Sequence, residues 1–316
     1  MNLFRCMIHK AVVLTTGIVT ALGGNIASAA PFDLEVHTGV GNSQGTLVWN
    51  ISGAEGGPDI LSELTYKDIQ FVQYGMQSNL TVRQGPLTDY EFFMSFISST
   101  AVSGTVTDSD YHGNQRSDEY SRSESSAENS TMKDFTLGSA HRFSLDRYQH
   151  IKPMIAYTYK QQLLLMTEGV QVLDARNPFN IGPFRNTLNS RYETQWHGLW
   201  TGAQWGFQTR KHQLKADLKF YWLDYQAEAD WNLRSDFAHP KSFEQWALGS
   251  GTGIALFYQY NLSNVFSFWL NWSKESWNTD PGQDVVYFAD GEIGKTQLNE
   301  VKWESTAIST GLVFNF

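Results

Sequence analysis

The chain has one cysteine, Cys6, among 316 residues, so no disulfide and no cysteine-built zinc site can form within it. It has no excess of positive charge: 23 Lys and Arg stand against 32 Asp and Glu, for a net charge of −9. That balance argues against a nucleic-acid partner, which calls for a basic patch or stripe. Beyond residue 30 no apolar run approaches the ~20 residues a helix needs to cross a bilayer, so a helical membrane protein is excluded. Disorder is excluded as well, because Phe, Trp and Tyr make up 14% of the chain.

The first residues read as an address. Arg5 and Lys10 precede the apolar run Ala11–Leu22, and Ala27-Ser28-Ala29 supplies a small-residue cleavage pattern. Residues 1–29 are expected to be a signal peptide. The alternative, an uncleaved anchor, is short of the spanning length. Residues 30–316 then form one exported domain, with no repeat, linker or second domain.

Mean hydropathy is only −0.36 despite the aromatic content. A β-barrel reconciles the two, since lipid-facing and lumen-facing residues alternate and the average hides the apolar half. Leu214, Ala216, Leu218, Phe220 and Trp222 alternate with Lys215, Asp217, Lys219 and Tyr221. Phe266, Phe268, Leu270 and Trp272 alternate with Ser267, Trp269, Asn271 and Ser273. Ile308, Leu312, Phe314 and Phe316 share one face of the last strand. A soluble sandwich also alternates, but Lys215, Asp217 and Lys219 suit a wet lumen rather than a solvent-facing sheet. The remaining tryptophans, such as Trp231, Trp246, Trp277 and Trp303, read as girdle or rim aromatics.

Polar punctuation sets the strand count. Short connections fall near 83–87, 146–150, 209–212 and 261–264. Long ones fall near 52–61, 104–130, 167–187, 229–245 and 278–297. Nine connections predict ten antiparallel strands, with short turns at one end and long loops at the other. That is the arrangement of an outer-membrane barrel whose long loops lie outside the cell. Asn79-Leu80-Thr81 and Asn271-Trp272-Ser273 fit the glycosylation pattern but fall inside expected strands.

Within 104–130, Asp108-x-Asp110-x-His112-Gly113 with Glu119 nearly fits a calcium-loop pattern. Histidine at the fifth position departs from it, because calcium takes oxygen ligands, and no helical periodicity flanks it. A solvated acidic loop is the plain alternative.

The same segment carries a resemblance. Val106-Thr107-Asp108-Ser109-Asp110-Tyr111 is similar to the aspartate pair of the omptin family of outer-membrane endopeptidases. Ala54-Glu55-Gly56-Gly57 and Leu61–Lys67 resemble that family's first loop and second strand. Asp118-Glu119 and Ser121-Arg122 resemble the stretch after the pair. Leu218-Lys219-Phe220 and Glu228-Ala229-Asp230-Trp231-Asn232 resemble the strand ending in an aspartate–histidine pair. Gly311–Phe316 resembles the closing strand.

The resemblance implies a ten-stranded omptin-like transmembrane barrel that hydrolyses peptides beside basic residues. A water would lie between two acidic walls. Asp108 and Asp110 would position it, and Asp230 would orient a histidine base, whose unperturbed pKa of ~6.5 suits the task. This sequence has Asn232 at the histidine position, and an amide is no base. Val48 and Ser123 also stand where the family carries an acid and a histidine. His239 and His112 are the substitute bases to consider; a shifted alignment pairs His239 with Asp236.

The resemblance further implies lipopolysaccharide as an activator, held on the outer wall. Tyr157 fits that site, whereas Tyr159 and Gln161 replace charged residues and Lys160 is adjacent. No other cofactor and no metal is expected. The expected partners are outer-membrane lipid, lipopolysaccharide and a cationic peptide or host protein. Three functions stay open: an omptin-type endopeptidase, a non-catalytic barrel serving as adhesin or surface-interaction protein, and a narrow pore.

Overall fold

The computed structural model describes residues 31–316. The signal peptide expected over 1–29 lies outside the described residues.

The strands are β1 (Phe32–Ile51), β2 (Ser62–Val82), β3 (Tyr90–Tyr111), β4 (Glu119–Ser126), β5 (Thr131–His141), β6 (Phe143–Ser144) and β7 (Gln149–Asp174). There follow β8 (Gly182–Pro183), β9 (Asn189–Gln208), β10 (His212–Asp230), β11 (Phe243–Asn261), β12 (Phe266–Thr279), β13 (Gly282–Tyr287) and β14 (Ile293–Asn315). All pairings are antiparallel. β4 and β5 together fill one place in the wall, and β12 and β13 another, so the ring has the ten places that the turn punctuation predicts. β1 pairs with β14 from Glu35↔Asn315 to Ile51↔Leu298, which closes the ring. Closure leaves no long sheet edge, and that is what lets strands stand in a bilayer.

The alternation has the expected sense. Leu214, Leu218, Phe220 and Trp222 on β10 are exposed on the outer face, with Leu199, Ile254, Leu256, Phe268, Leu270 and Ile308 on other strands. Lys215, Asp217, Lys219 and Tyr221 face the lumen, where they line a cavity of about 270 Å³ toward the short-turn end. No described helix is long and apolar enough to cross a membrane.

Above that cavity the lumen is filled. Trp196, Trp277, Trp303, Tyr66, Tyr192, Tyr225 and Phe71 are fully buried, packed with Leu47, Leu64, Leu164 and Leu298. Lys160 Nζ lies beneath this layer, 4.3 Å from the Trp277 ring centroid. It is 2.7 Å from Glu275 and 3.2 Å from Asp134. A ten-strand ring leaves little room once such side chains fill it.

A belt of irregularities crosses four neighbouring wall places at one height. Asp68 in β2, Gly104 in β3, Asn129 between β4 and β5, and Glu168 in β7 all have positive φ. Each interrupts the two-residue alternation. In β3, Ser99 and Ala101 are buried toward the lumen below the belt, and Val106 above it. Odd positions point inward below and even positions above. Without this slip, Asp108 and Asp110 would sit on the outer face.

Two stretches differ from the sequence expectation. The connection expected over 104–130 is mostly strand, with a hairpin only at 112–118. The one expected over 278–297 shrinks to 288–292. These ladders stand beyond the apolar band and are largely polar, with a few buried residues such as Val106, Tyr111 and Val285, so they carry little hydrophobic alternation for a sequence reading to detect.

Candidate functional site at the barrel mouth

Asp108 lies opposite Leu64 and Asp110 opposite Ser62 in the β2–β3 ladder. Leu64 is fully buried in the lumen, which fixes the inward direction of the pair. Burial pushes the Asp108 carboxyl up to about 8, and the neighbouring Asp110 adds to this; Arg234 and a bond to Trp231 pull it down. Burial also raises Asp110, against a hydrogen bond with Ser62 and the charges of Arg234 and Arg176. Both carboxyls therefore hold their protons more tightly than a free aspartate does.

Two guanidinium groups on separate loops lend the pair positive charge, Arg234 acting on both carboxyls and Arg176 on Asp110. Arg234 comes from residues 231–242, between β10 and β11. Its Nε is 2.9 Å from Asp236 Oδ1 and its Nη2 2.8 Å from Oδ2, and it lies 4.1 Å from the Phe237 ring centroid. Arg176 lies 4.3 Å from the ring centroid of Tyr120, which stacks on His112 at 4.0 Å. The 231–242 loop is tied down. Ala238 N donates to Tyr287 O at 2.8 Å, Ala289 N donates to Asp236 O at 2.9 Å, and Trp231 packs edge-on against Phe243 at 4.7 Å.

Asp230 is elsewhere. On β10, Tyr225, Ala227 and Ala229 are buried toward the lumen. Asp230 has the opposite parity, shared with the exposed Glu228. Its carboxylate meets His239, with Nδ1 2.6 Å from Oδ1, and Arg191 at 3.8 Å. Asp236, the partner that a shifted alignment would give His239, holds Arg234 instead. The structure thus joins Asp230 to His239, and Asp108 to Asp110, but on opposite faces of the wall.

Asn232 is held by its amide oxygen and its amide nitrogen. Its Oδ1 accepts from Asn189 N at 2.9 Å and from Ser190 Oγ at 3.0 Å, while Nδ2 donates to Thr187 O at 2.9 Å. It fastens the start of β9 to the end of β10. His112 is an exposed hairpin residue stacked on Tyr120. The calcium-like spacing falls on strand, hairpin and strand rather than on a coordinating loop, because Asp108↔Ser123 and Asp110↔Ser121 are ladder pairs. No cluster of three or more His, Cys, Asp or Glu suited to a metal occurs among the described residues.

Sequence reasoning missed Arg234, Arg176, Trp231 and a second buried acid. Asp284 accepts from Gln245 Nε2 at 2.9 Å and from Thr296 Oγ1 at 3.2 Å. Gln245 Oε1 accepts from Tyr192 OH at 2.6 Å, and Tyr192 is hydrogen-bonded to Tyr225. Burial pushes Asp284 up to about 6. Isolated polar residues such as these carry no spacing signal.

The model of the family described as Pom, Protochlamydia outer membrane protein, matches residues 37–316. No curated protein sequence matches the chain. Among solved structures, the outer membrane protease OmpT from Escherichia coli superposes with a TM-score of 0.73 at 12% identity, covering 92% of this chain and 99% of that one. The translocator domain of the autotransporter NalP from Neisseria meningitidis gives 0.38 at 8% identity, covering 100% and 98%. OprG from Pseudomonas aeruginosa gives 0.34 at 10% identity, covering 90% and 95%. The likeness to OmpT is one of fold.

Proposed function

The chain belongs to the Protochlamydia outer membrane protein family and is an outer-membrane β-barrel, and we propose that it is a non-catalytic surface-interaction protein built on an omptin-like barrel. Its contact is the mouth around Asp108 and Asp110, and its partner a cationic peptide segment. One observation carries this reading. The histidine–aspartate pair, His239 with Asp230, lies on the outer face of the wall, while Asp108 and Asp110 face the lumen. A general base must come within hydrogen-bond reach of the water it activates, directly or through one further water. The wall stands between these groups.

The aromatic layer below the mouth supports a binding role over a pore. The overall negative charge favours encounter with a cationic segment. Lipopolysaccharide belongs to this reading as a neighbour of the outer wall near Tyr157, Tyr159 and Gln161, rather than as a cofactor.

The test is equilibrium binding of a fluorescent dibasic peptide to the refolded barrel in lipid nanodiscs, with and without lipopolysaccharide. Saturable binding that is lost in the Asp108→Asn/Asp110→Asn variant supports the reading. Absence of binding, or binding indifferent to both aspartates, overturns it.

A further inference from the structure

Two phenylalanines of the 175–188 loop, between β7 and β9, have opposite places. Phe184 is the anchor. Its N donates to Gly169 O at 2.9 Å, and its ring lies with Leu188 over Gly169, where an added Cβ would strike both. Phe179 is the tip and is 95% exposed. The backbone that carries it is nonetheless held. Asp174 accepts from Arg176 N at 3.0 Å, from Asn177 N at 2.9 Å and from Asn180 Nδ2 at 3.1 Å. Asn177 caps the short turn Pro178–Asn180 by accepting from Phe179 N at 3.3 Å. Pro178 and Pro183 restrict φ on either side of the turn. The fold fixes this ring in place and gives it nothing to bury against.

The ring belongs to a strip. Gln171 is buried and donates to Ser121 Oγ at 3.1 Å, so its neighbours Val170 and Val172 turn outward and are exposed. Val170 pairs with Pro183 in the β7–β8 ladder, which sets Pro183 on the same outer face. The alternation carries Ile181, also exposed, beside it. Val170 comes thirteen residues after Tyr157 on β7. At ordinary rise and tilt the strip therefore stands on the order of 30 Å beyond Tyr157, clear of the acyl chains. On β9 the outward residues in between are His197, Gln195, Glu193 and Arg191, which are polar. Exposed apolar groups gathered outside the lipid mark an interaction surface. The charge around them is distinctive. The chain carries −9, yet residues 175–188 hold Arg176 and Arg185 and no acid. Arg176 lies over Tyr120, and Arg185 is exposed with no ion pair among the described residues. On the neighbouring loops Arg116 is matched by Glu63, Arg234 by Asp236 and Lys241 by Glu244.

We propose that Phe179, Ile181, Val172 and Val170, edged by Arg176 and Arg185, form a second docking surface, for a protein segment whose apolar face is bordered by carboxylates. Charge complementarity selects that occupant, because the two arginines have no acid of their own loop to meet. Phe179 is the anchor the partner covers, and its fixed backbone lowers the ordering cost of the contact. A second copy of this chain would bring its own two arginines to the contact. A flat anionic lipid surface would take Phe179 and Ile181 at the tip and leave Val170 and Val172, within the sheet, uncovered. The surface stands apart from Asp108 and Asp110, has the opposite charge preference, and does not rest on the reading of the mouth.

The experiment titrates the full refolded barrel, in zwitterionic nanodiscs, with a panel of labelled twelve-residue amphipathic peptides read by fluorescence anisotropy. The peptides share one leucine and phenylalanine face and carry glutamate, lysine or glutamine on the other. The glutamate series is expected to bind at least tenfold more tightly than the glutamine series. Phe179→Ala should weaken it at least tenfold, and Val172→Ser and Arg185→Glu each severalfold. Asp108→Asn/Asp110→Asn should leave it unchanged, which separates this surface from the mouth. Heat-modifiable gel mobility shows that each variant is folded. Absence of glutamate-peptide binding, or binding indifferent to Phe179 and Arg185, would overturn the proposal. Two further results would also overturn it. One is capture of phosphatidylglycerol vesicles that depends on Phe179 but not on Val172, which assigns the loop to a lipid surface. The other is a dimer of the native barrel that Phe179→Ala abolishes, which assigns it to a second copy.

Discussion

His239 Nδ1 lies 2.6 Å from Asp230 Oδ1 on the outside of a wall whose inside carries Asp108. The two acidic features that a linear reading would assemble into one site are separated by the parity of single strands. Asp230 follows the exposed Glu228, whereas Asp108 follows the buried Val106. His239→Ala is therefore expected to loosen the 231–242 loop without removing either carboxyl from the mouth. Hydrogen exchange of that loop should rise by an amount corresponding to about 1 kcal/mol. Binding of a dibasic peptide should persist; its loss would place His239 in the site.

The inward aim of the pair depends on Gly104. Its φ is +151°, and an added Cβ would lie 3.0 Å from Ile69 Cα and 3.1 Å from Ala127 Cβ. Gly104→Val is expected to cost about 1–3 kcal/mol, since a β-branched residue meets both strain and backbone contact there. The measurement is the urea midpoint of the folded barrel by gel mobility. Peptide binding should fall with it, because the slip that turns Asp108 inward is weakened. A stable Val variant with native binding would show that the slip does not depend on glycine.

Lys160 is fastened between Asp134 and Glu275 under two tryptophan rings. Lys160→Met should destabilise the barrel by about 3–5 kcal/mol, because it strands two buried carboxylates. The triple variant Lys160→Met/Asp134→Asn/Glu275→Gln should recover most of the loss. Failure to recover would show that packing of the lysine stem, rather than charge pairing, sets the cost.

Asp284 gives a pH dependence with a definite sign. Its folded-state pKa, about 6, is raised above the unfolded value of 3.8 by burial. The folded chain thus holds this proton more tightly than the unfolded chain. Its contribution is fully present below pH 3.8 and is lost as the pH rises through about 6. The shift corresponds to at most about 3 kcal/mol. Melting temperatures between pH 4 and 7 should show this decline in the native barrel, and Asp284→Asn should lose that component. An unchanged slope would mean that Asp284 titrates normally.

Much of the barrel was legible because lipid and lumen impose opposite demands on neighbouring residues. Lys215, Asp217 and Lys219 against Leu214, Leu218 and Phe220 disclose both faces of β10 without any tertiary information. Gly104 and Asp68 are less legible. Nothing in Ser103-Gly104-Thr105 says that alternation slips there, yet that slip decides where Asp108 points. Beyond the apolar band, neither face of a strand needs to be apolar, so the upper parts of β3 and β4 read as loop. Tyr66 comes near Asp108 through the β2–β3 ladder, whereas the charge of Arg234 acts on Asp108 only once the whole ring has formed. A residue at 108 and another at 234 carry no local pattern that links them.

The central claim, binding without cleavage at the mouth, is tested most directly by mass spectrometry of dibasic peptides after prolonged incubation with the refolded barrel and lipopolysaccharide. Intact peptides with the native chain, and also with Asn232→His, are the predicted result, because the Asn232 side chain is spent on Asn189, Ser190 and Thr187. A discrete pair of fragments that disappears in Asp108→Ala and in His239→Ala would contradict the account and make the barrel an endopeptidase.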